Sequence, residues 1–293
     1  RRRPEPPDNM ALNTLDAVDE ARVEALLAKM SLDDKLGQMF QVDWRIFRAR
    51  HRALSVGGWL GRVLAMAIDA LPGMSNDKAL TDGDAHEVRR LALGSVLGGG
   101  GAFPTPNTAE QWCAQMDALQ RAAAATASAV PLLIGNDTVH GQVNLKGATI
   151  FPHHIALGCT RDPDLVERLA VLAARESAAC GINWIFAPCA TVPQDLRWGR
   201  TYEGFSEDPT LVGELSAAEV RGLQGAGVPM AACAKHWVAD GGTALGTGTA
   251  DFGWTGAPPR VLDQGDAQCD EAELRGTHVP PYVPALAAGC LTV

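Results

Sequence analysis

Short apolar segments recur along the chain from about residue 90, and longer segments with helical features separate them. The apolar segments cover residues 91–97, 131–135, 182–188, 229–235 and 290–293. They lack the alternation of half-exposed strands, which is typical of parallel strands covered on both faces. A sixth strand is expected within residues 36–43. Strands that alternate with helices predict an α/β protein with a parallel sheet.

The intervening helices have recognisable first residues. Asp162-Pro163 and Asp208-Pro209 each place an acidic cap before a proline, a combination that suits the first turn of a helix. Three further pairs have the spacing of a capping box, namely Ser31 with Asp34, Thr108 with Gln111 and Asp270 with Glu273.

Apolar residues also recur at helical spacing over residues 57–73, which predicts one amphipathic helix. This segment is too short to span a bilayer, and it contains Arg62 and Asp69. It is interpreted as an additional packed helix, with a membrane-surface or partner-binding helix as the alternative.

The composition narrows the function classes. The chain has 293 residues, of which 46% are apolar, enough for one large core. Its net charge is −9 despite the basic opening Arg1 to Arg3, which argues against a nucleic-acid or anionic-membrane partner. The polar, proline-rich opening RRRPEPPDNM is not a signal peptide, so none is expected in this chain.

Common cofactor and metal motifs do not occur in the sequence. Seven cysteines form no CxxC pair and are interpreted mostly as small buried residues, with one or two disulfides left open. No HExxH motif is present, and the glycine-rich residues 98–102 match neither a phosphate loop nor a dinucleotide fingerprint. Neither a metal nor a cofactor is therefore expected.

Polar side chains instead follow three consecutive predicted strands. Asp137 comes after residues 131–135, Arg200 lies in the loop after 182–188, and Lys235 and His236 come at the end of 229–235. In a barrel or in an open doubly wound sheet, ligand groups gather at the carboxyl ends of the strands. A carboxylate, a guanidinium, an ammonium and an imidazole together suit a ligand dense in hydroxyl groups, so a sugar is predicted.

Each of these residues also has a purely structural interpretation. Arg200 pairing with Glu203, and Lys235 with Asp240, would be ordinary loop ion pairs, and His140 would cap a strand end. Aromatic residues of the long loop would serve either to stack under a sugar ring or to fill the core, namely Trp198, Tyr202 and Phe205.

Six ordered segments carry a resemblance to a known family. They are MSLDDKLGQM (30–39), LGSVLGGGGAFP (93–104), IGNDTVHGQ with ATIFPHHIALGCTRDP (134–163), FAPCATVPQDLRWGRTYEGFSEDP (186–209), KHWVADGGT (235–243) and DQGDAQCDEAELRGTHVPPYVPALAAG (263–289). In this order they resemble the N-terminal barrel domain of glycoside hydrolase family 3, in its branch of β-glucosidases and exo-acting β-glucan hydrolases.

The resemblance implies a function and a site. Asp137, Arg200, Lys235 and His236 stand where the family grips the nonreducing-end glucose. The implied activity is the release of terminal β-glucosyl residues from β-glucans or cello-oligosaccharides with retention. The implied substrate is a β-glucoside or oligosaccharide, and the implied location is periplasmic or extracellular.

The resemblance also implies that part of the machinery lies elsewhere. A retaining glycosidase needs two carboxyl groups about 5 Å apart. The family's nucleophilic aspartate lies in a Ser-Asp-Trp-like stretch and is expected after Val293, with the acid/base glutamate often in a second domain. A closed barrel needs about eight strands, so the chain is interpreted as a partial TIM-like (β/α)8 barrel lacking its last strands and inactive alone. Residues 1–29 are interpreted as an extension with a leading helix, 30–293 as the incomplete barrel, and 45–80 as a helical insertion.

Other interpretations remain open from the sequence. The chain would alternatively be a non-catalytic sugar-binding remnant, a β-N-acetylglucosaminidase-type hydrolase, or an unrelated open α/β protein. Asp137, Glu203 and Asp240 are the carboxylates that would react if the chemistry were internal to the chain. The oligomeric state is undetermined.

Overall fold

The computed structural model describes residues 17–44, 82–99, 103–248 and 265–293. Within these ranges the chain alternates between helices and short strands, as in other α/β proteins. The helix predicted at 57–73, and the insertion at 45–80 that contains it, lie outside the described residues. None of the helices in these ranges is long and apolar enough to cross a membrane.

Five parallel strands form one sheet, and their spatial order is their order along the chain. They are β1 (Gln41–Asp43), β2 (Ser95–Gly98), β3 (Leu133–Asn136), β4 (Trp184–Ile185) and β5 (Ala231–Ala232). This order confirms the predicted parallel sheet, including the strand expected within residues 36–43. Consecutive neighbouring strands are the arrangement found in a (β/α) barrel.

The sheet continues beyond β5 but does not close. Residues 290–293, predicted as a strand, form a single parallel bridge between Cys233 and Thr292. The Trp184 indole N–H also donates a hydrogen bond to the Thr292 hydroxyl at 2.8 Å. Over the described residues the sheet remains open, with β1 at one edge and Thr292 at the other.

Helices precede the first strand and connect the strands that follow. They are α1 (Ala17–Leu27), α2 (Leu32–Gln38), α3 (Asp82–Leu91), α4 (Ala109–Ala124), α5 (His154–Thr160), α6 (Pro163–Ala178), α7 (Pro209–Gln224), α8 (Glu271–Glu273) and α9 (Tyr282–Ala287), with a π-helical turn at Leu274–His278. The predicted start signals are confirmed. The Asp162 and Asp208 side chains each accept a backbone hydrogen bond at the start of a helix that has proline in its first turn.

The other predicted caps also form. Ser31 and Asp34 make a reciprocal capping box at the start of α2. Thr108 accepts from the Gln111 N–H before α4, and Asp270 accepts from the Glu273 N–H before α8. Such caps satisfy backbone donors that a helix leaves unpaired at its first turn.

The core has two main parts, one under each half of the sheet. The first surrounds the stacked indoles of Trp44 and Trp112, whose ring centroids are 5.8 Å apart. The second packs β4 and β5 against α6, α7 and α9, and α7 is the most buried of the described helices. Gly222 permits the close approach of α6 to α7, since a Cβ there would collide with the Glu167 carbonyl oxygen.

Candidate functional site

The structure brings the four predicted site residues together at the carboxyl ends of the strands. Asp137 directly follows β3, Arg200 lies in the loop between β4 and α7, and Lys235 and His236 come shortly after β5. Lys235 Nζ donates a hydrogen bond to Asp137 Oδ1 at 2.8 Å. Arg200 Nη2 lies 2.7 Å from His236 Nε2. The site therefore contains one ion pair, Lys235 with Asp137, and one pair of basic side chains, Arg200 with His236. Their role in binding stays a prediction.

Lys235 lies at the bottom of the site, with its side chain 12% exposed, whereas Asp137 is half exposed. Burial alone would lower the pKa of Lys235, but the groups around it, namely Cys189, Asp137 and Glu203, raise that pKa above its ordinary value. The ammonium is therefore charged at neutral pH. The alternative in which Lys235 neutralises Asp240 is wrong, because Asp137 is its carboxylate partner.

Arg200 is held by Glu203, as the structural interpretation of the sequence proposed. Its Nε and Nη2 atoms donate to the two carboxylate oxygens of Glu203, both at 2.7 Å. Burial alone would raise the pKa of Glu203. The hydrogen bonds and charge of Arg200, together with the charges of Lys235 and His236, outweigh burial and lower that pKa below its ordinary value. The carboxylate stays ionised and fixes the plane of the guanidinium.

His236 links Arg200 to Asp240. Its Nδ1 lies 2.8 Å from Asp240 Oδ2, and the Thr191 hydroxyl donates to Asp240 Oδ1 at 2.6 Å. Because a guanidinium only donates, His236 Nε2 accepts from Arg200, and the ring proton sits on Nδ1, which donates to Asp240. The imidazole is thus oriented from both sides.

The register between β4 and β5 shifts by one residue just before the site. Ile185 lies opposite Ala232, whereas Cys189 lies opposite Lys235. The β4 side therefore advances four residues (185 to 189) while the β5 side advances three (232 to 235). An extra residue of this kind re-aims the side chains that follow it. The Ala190 N–H then donates to the Lys235 carbonyl at 2.8 Å, which holds the re-aimed segment.

The segment around Asp137 is fixed by a pair of amide side chains, one of which is buried. Asn136, the last residue of β3, is fully buried and accepts from Asn144 Nδ2 at 2.6 Å. The same Asn144 amide lies 3.1 Å from the Asp137 carbonyl oxygen. His140 contacts the loop that follows, because its Nδ1 lies 2.8 Å from the Phe151 carbonyl oxygen.

The aromatic residues of the long loop divide into two groups. Trp198 and Phe205 are buried, so the interpretation that they stack under a sugar is wrong and they fill the core. Tyr202 is 45% exposed, and its ring meets the edge of His153 at 4.7 Å. Trp237 is 60% exposed and was missed in the sequence, although it directly follows His236.

Two further residues of the site were missed from the sequence. Cys189 is buried beside Lys235, and its Sγ lies 3.8 Å from Glu203 Oε2. Thr191 supports Asp240. Both follow β4 closely, so the strand-end rule that selected Asp137 would also have selected them. The seven cysteines are all free, and four of them are buried.

Possible ion ligands in the described ranges do not cluster, since no three His, Cys, Asp or Glu side chains there are arranged to hold a metal. What the site offers is a row of charged and polar groups with fixed orientation. In (β/α) barrels the ligand site is built from groups at the carboxyl ends of the strands, and this chain places paired acidic and basic side chains at consecutive strand ends.

The chain belongs to glycosyl hydrolase family 3, because the model of that family's N-terminal domain matches residues 31–293. The resemblance noted in the sequence is thereby confirmed. Among curated relatives, the lysosomal beta glucosidase of Dictyostelium discoideum is 26% identical over 290 residues, covering 92% of this chain and 30% of the relative. The periplasmic beta-glucosidase of Salmonella typhimurium is 26% identical over 270 residues, with 92% and 28% covered.

Solved structures give the same picture. The exo-1,3/1,4-beta-glucanase of a Pseudoalteromonas species is 34% identical with a TM-score of 0.72, covering 95% of this chain and 30% of the glucanase. The beta-glucosidase of Listeria innocua in complex with glucose is 27% identical with a TM-score of 0.65, and 94% and 32% are covered. The chain therefore spans about a third of the length of the relatives it matches.

Proposed function

We propose that this chain forms the sugar-gripping part of a β-glucosidase-type hydrolase, which releases terminal β-glucosyl residues from β-glucans or cello-oligosaccharides. The observation that carries the proposal is the pairing of Lys235 with Asp137 beside the pairing of Arg200 with His236. Membership of the family and the names of the relatives supply the sugar class.

The chemistry of the four groups suits a glucose ring. A vicinal diol donates to a half-exposed carboxylate such as Asp137 and accepts from an ammonium or a guanidinium. Lys235 and Arg200 are charged, and buried or fixed by partners, so they lose little freedom when a hydroxyl arrives. Trp237 and Tyr202 are exposed aromatic side chains, and their rings would pack against the glucose ring or against the next sugar.

The carboxylates of the site bear on the reaction mechanism. Within the described ranges, the strand-end carboxylates Asp137, Glu203 and Asp240 each have a basic partner. Because its pKa is lowered, Glu203 is ionised at neutral pH, which suits a residue that binds a hydroxyl group. The same ionisation makes Glu203 a poor general acid, since it carries no proton to donate. We infer that the full-length protein acts with retention, through a nucleophile and an acid/base supplied from outside these 293 residues, and that this chain alone does not turn over substrate.

The location is proposed from the relatives. One curated relative is named as periplasmic and another as lysosomal, and both names place the protein outside the cytosol. We propose that the full-length protein likewise acts outside the cytoplasm, in the periplasm or beyond the cell. Cell fractionation with an antibody against the chain tests this, and recovery in the cytosolic fraction contradicts it.

Calorimetric titration of the chain with glucose, laminaribiose and N-acetylglucosamine tests the proposed sugar binding. Glucose and laminaribiose are expected to bind, and Asp137→Asn is expected to abolish binding. Binding of N-acetylglucosamine alone would move the proposal to acetamido sugars, and binding of none of the three would overturn it.

Hydrolysis of 4-nitrophenyl β-D-glucoside tests whether the reacting groups lie outside this chain. The 293-residue chain is expected to be inactive, and a product of the full gene is expected to be active. Turnover by the chain alone, lost in Glu203→Gln or Asp240→Asn, would place the reacting groups inside it.

A further inference from the structure

His154 connects the buried face of α7 to the loop that carries Arg200. It is the first residue of α5, and it is 1% exposed. Its Nδ1 lies 2.7 Å from the Glu203 carbonyl oxygen, and its Nε2 lies 3.2 Å from Glu219 Oε2 on α7. Both ring nitrogens therefore face an oxygen, in a place that water does not reach.

The contacts determine where the protons lie. A carbonyl oxygen only accepts, so Nδ1 carries a proton and donates it to Glu203. Burial alone would lower the pKa of His154, but the charge and hydrogen bond of Glu219, together with the neighbouring Cys189, raise that pKa well above its ordinary value. The ring is then an imidazolium with both N–H groups matched, one to Glu203 and one to Glu219.

Glu203 passes the constraint on to the site. Its carbonyl oxygen is held by His154, and its carboxylate holds Arg200 through two hydrogen bonds of 2.7 Å. Arg200 in turn reaches His236. Three consecutive links thus join a core helix to a guanidinium that is 27% exposed at the site.

Packing reinforces the same contact. Gly158, on α5, lies so close to Phe205 that a Cβ would collide with the Phe205 carbonyl oxygen. The His154 ring also lies 4.3 Å from the Phe205 ring. The segment from Glu203 to Phe205 is therefore seated against α5 by both a hydrogen bond and close packing.

We propose that His154 is a positioning residue for Arg200, acting through the Glu203 carbonyl oxygen while Glu219 fixes the orientation of its ring. The expected effect on glucose affinity rests on the proposed function, whereas the expected effect on the position of Arg200 does not. The two effects are therefore measured in separate experiments.

A matched pair of variants separates the two contacts of the ring. In His154→Asn the side-chain amide lies near the position of Nδ1 and retains a donor for Glu203. In His154→Gln the amide extends toward the position of Nε2 and Glu219, and the donor to Glu203 is lost. Both variants replace the ring by an uncharged amide, so a difference between them reports the Glu203 contact. Leu215→Ala, which truncates a buried side chain on α7, controls for general loss of core stability.

The ligand-independent measurement is the NMR signal of the Arg200 Nε–H group in the full 293-residue chain, assigned by its loss in Arg200→Lys. We expect this signal to stay near its wild-type position in His154→Asn and Leu215→Ala, and to shift and exchange faster with solvent in His154→Gln. An unchanged signal in His154→Gln, or equal shifts in the Asn and Gln variants, overturns the proposal.

The ligand-dependent measurement is glucose affinity. His154→Gln is expected to weaken binding about tenfold, the upper range for one lost hydrogen bond. It is expected to have no further effect when Arg200→Ala is already present, because His154 acts through Arg200. Additive losses in the double variant overturn the proposal. A wild-type chain that binds no glucose would sink the proposed function, and the Arg200 signal would then decide on His154 by itself.

Discussion

Lys235 Nζ donates a hydrogen bond of 2.8 Å to Asp137 Oδ1, although 98 positions separate the two residues along the chain. The contact spans from the end of β3 to the segment after β5 and passes over the end of β4, so it depends on the parallel order of three strands. One ion pair at the site therefore reports both the fold and the candidate function.

Loss of the Lys235 ammonium is expected to weaken glucose binding strongly. Lys235→Ala leaves Asp137 without its donor and takes away a charged hydrogen-bond partner of the ligand, which together cost about 2–3 kcal/mol, or roughly 30- to 150-fold in affinity. Lys146→Ala removes the same charge from an exposed loop position and is the control. Calorimetric titration with glucose measures both variants, and equal losses would contradict the assigned role.

The shape of Arg200 is expected to matter as much as its charge. Arg200→Lys retains a cation but cannot make both hydrogen bonds to Glu203, so we expect glucose affinity to fall about tenfold. Arg197→Lys is the matched control, since Arg197 pairs with Asp195 in the same loop and its side chain is 65% exposed. If the two lysine variants bind glucose equally well, the fork of Arg200 does not orient the ligand.

Stability is expected to fall in acid partly because of Glu203. The pKa of this carboxyl is lower in the folded protein than its ordinary value of 4.5. A lowered folded-state pKa contributes stability above the ordinary value, and that stability is lost as the pH falls through the folded-state pKa. Urea denaturation from about pH 6 down to about pH 3 should therefore show a decline that is shallower in Glu203→Gln than in the wild type.

The exposed residue Glu214 on α7 provides the control for this measurement, because Glu214→Gln removes the same charge without touching Arg200. Its profile should follow that of the wild type. Identical slopes in all three proteins would mean that Glu203 contributes nothing to the acid dependence.

The close approach of α6 and α7 is expected to tolerate no methyl group at Gly222. Gly222→Ala forces a Cβ onto the Glu167 carbonyl oxygen, so we expect a loss of about 1–3 kcal/mol in the free energy of unfolding. Gly276→Ala adds the same methyl group where no atom outside its own stretch of helix lies within 4 Å, and it should change stability little. Thermal and urea denaturation compare the two, and a neutral Gly222→Ala would mean that the helices separate at low cost.

Exposed apolar residues at the two edges of the sheet are expected to make the chain self-associate. Leu291 and Val293 are 64% and 56% exposed at one edge, and Met39 and Phe40 are 82% and 60% exposed near the other. Leu291→Lys should raise the monomer fraction measured by light scattering, since a charge disfavours edge-to-edge pairing. Leu196→Lys changes an 88% exposed loop residue and is the control; an equal gain from both would implicate general surface hydrophobicity.

The central strands were predictable because each overlaps a short apolar segment of the sequence. The weakest predictions were at the ends of the sheet. β1 was expected only within a broad range, and residues 290–293 form one bridge instead of a full strand. Local apolarity indicates that a segment is buried, but the number of ladder contacts depends on the neighbours that flank it.

For the candidate site, the sequence allowed the prediction that its residues lie at particular strand ends, but not which side chains contact each other. The partner of Lys235 was not predictable, because Asp240 is close in sequence while Asp137 becomes its neighbour only through the order of the strands. The fate of the loop aromatics was equally hidden. Trp198 and Phe205 turn inward and Tyr202 outward, and an irregular loop has no periodicity from which to read that difference.

The extra residue between Ile185 and Cys189 makes the site sensitive to chain length as well as to residue type. Successive residues of a strand point to opposite faces, so deletion of a single residue from 186–188 would turn the whole following segment over relative to Lys235. Every group at the site would still be present in such a protein, but Arg200 would no longer meet His236, nor would Thr191 meet Asp240. Among natural variants of this chain, one-residue gaps are therefore expected to be rarer in this short stretch than substitutions at any of its positions.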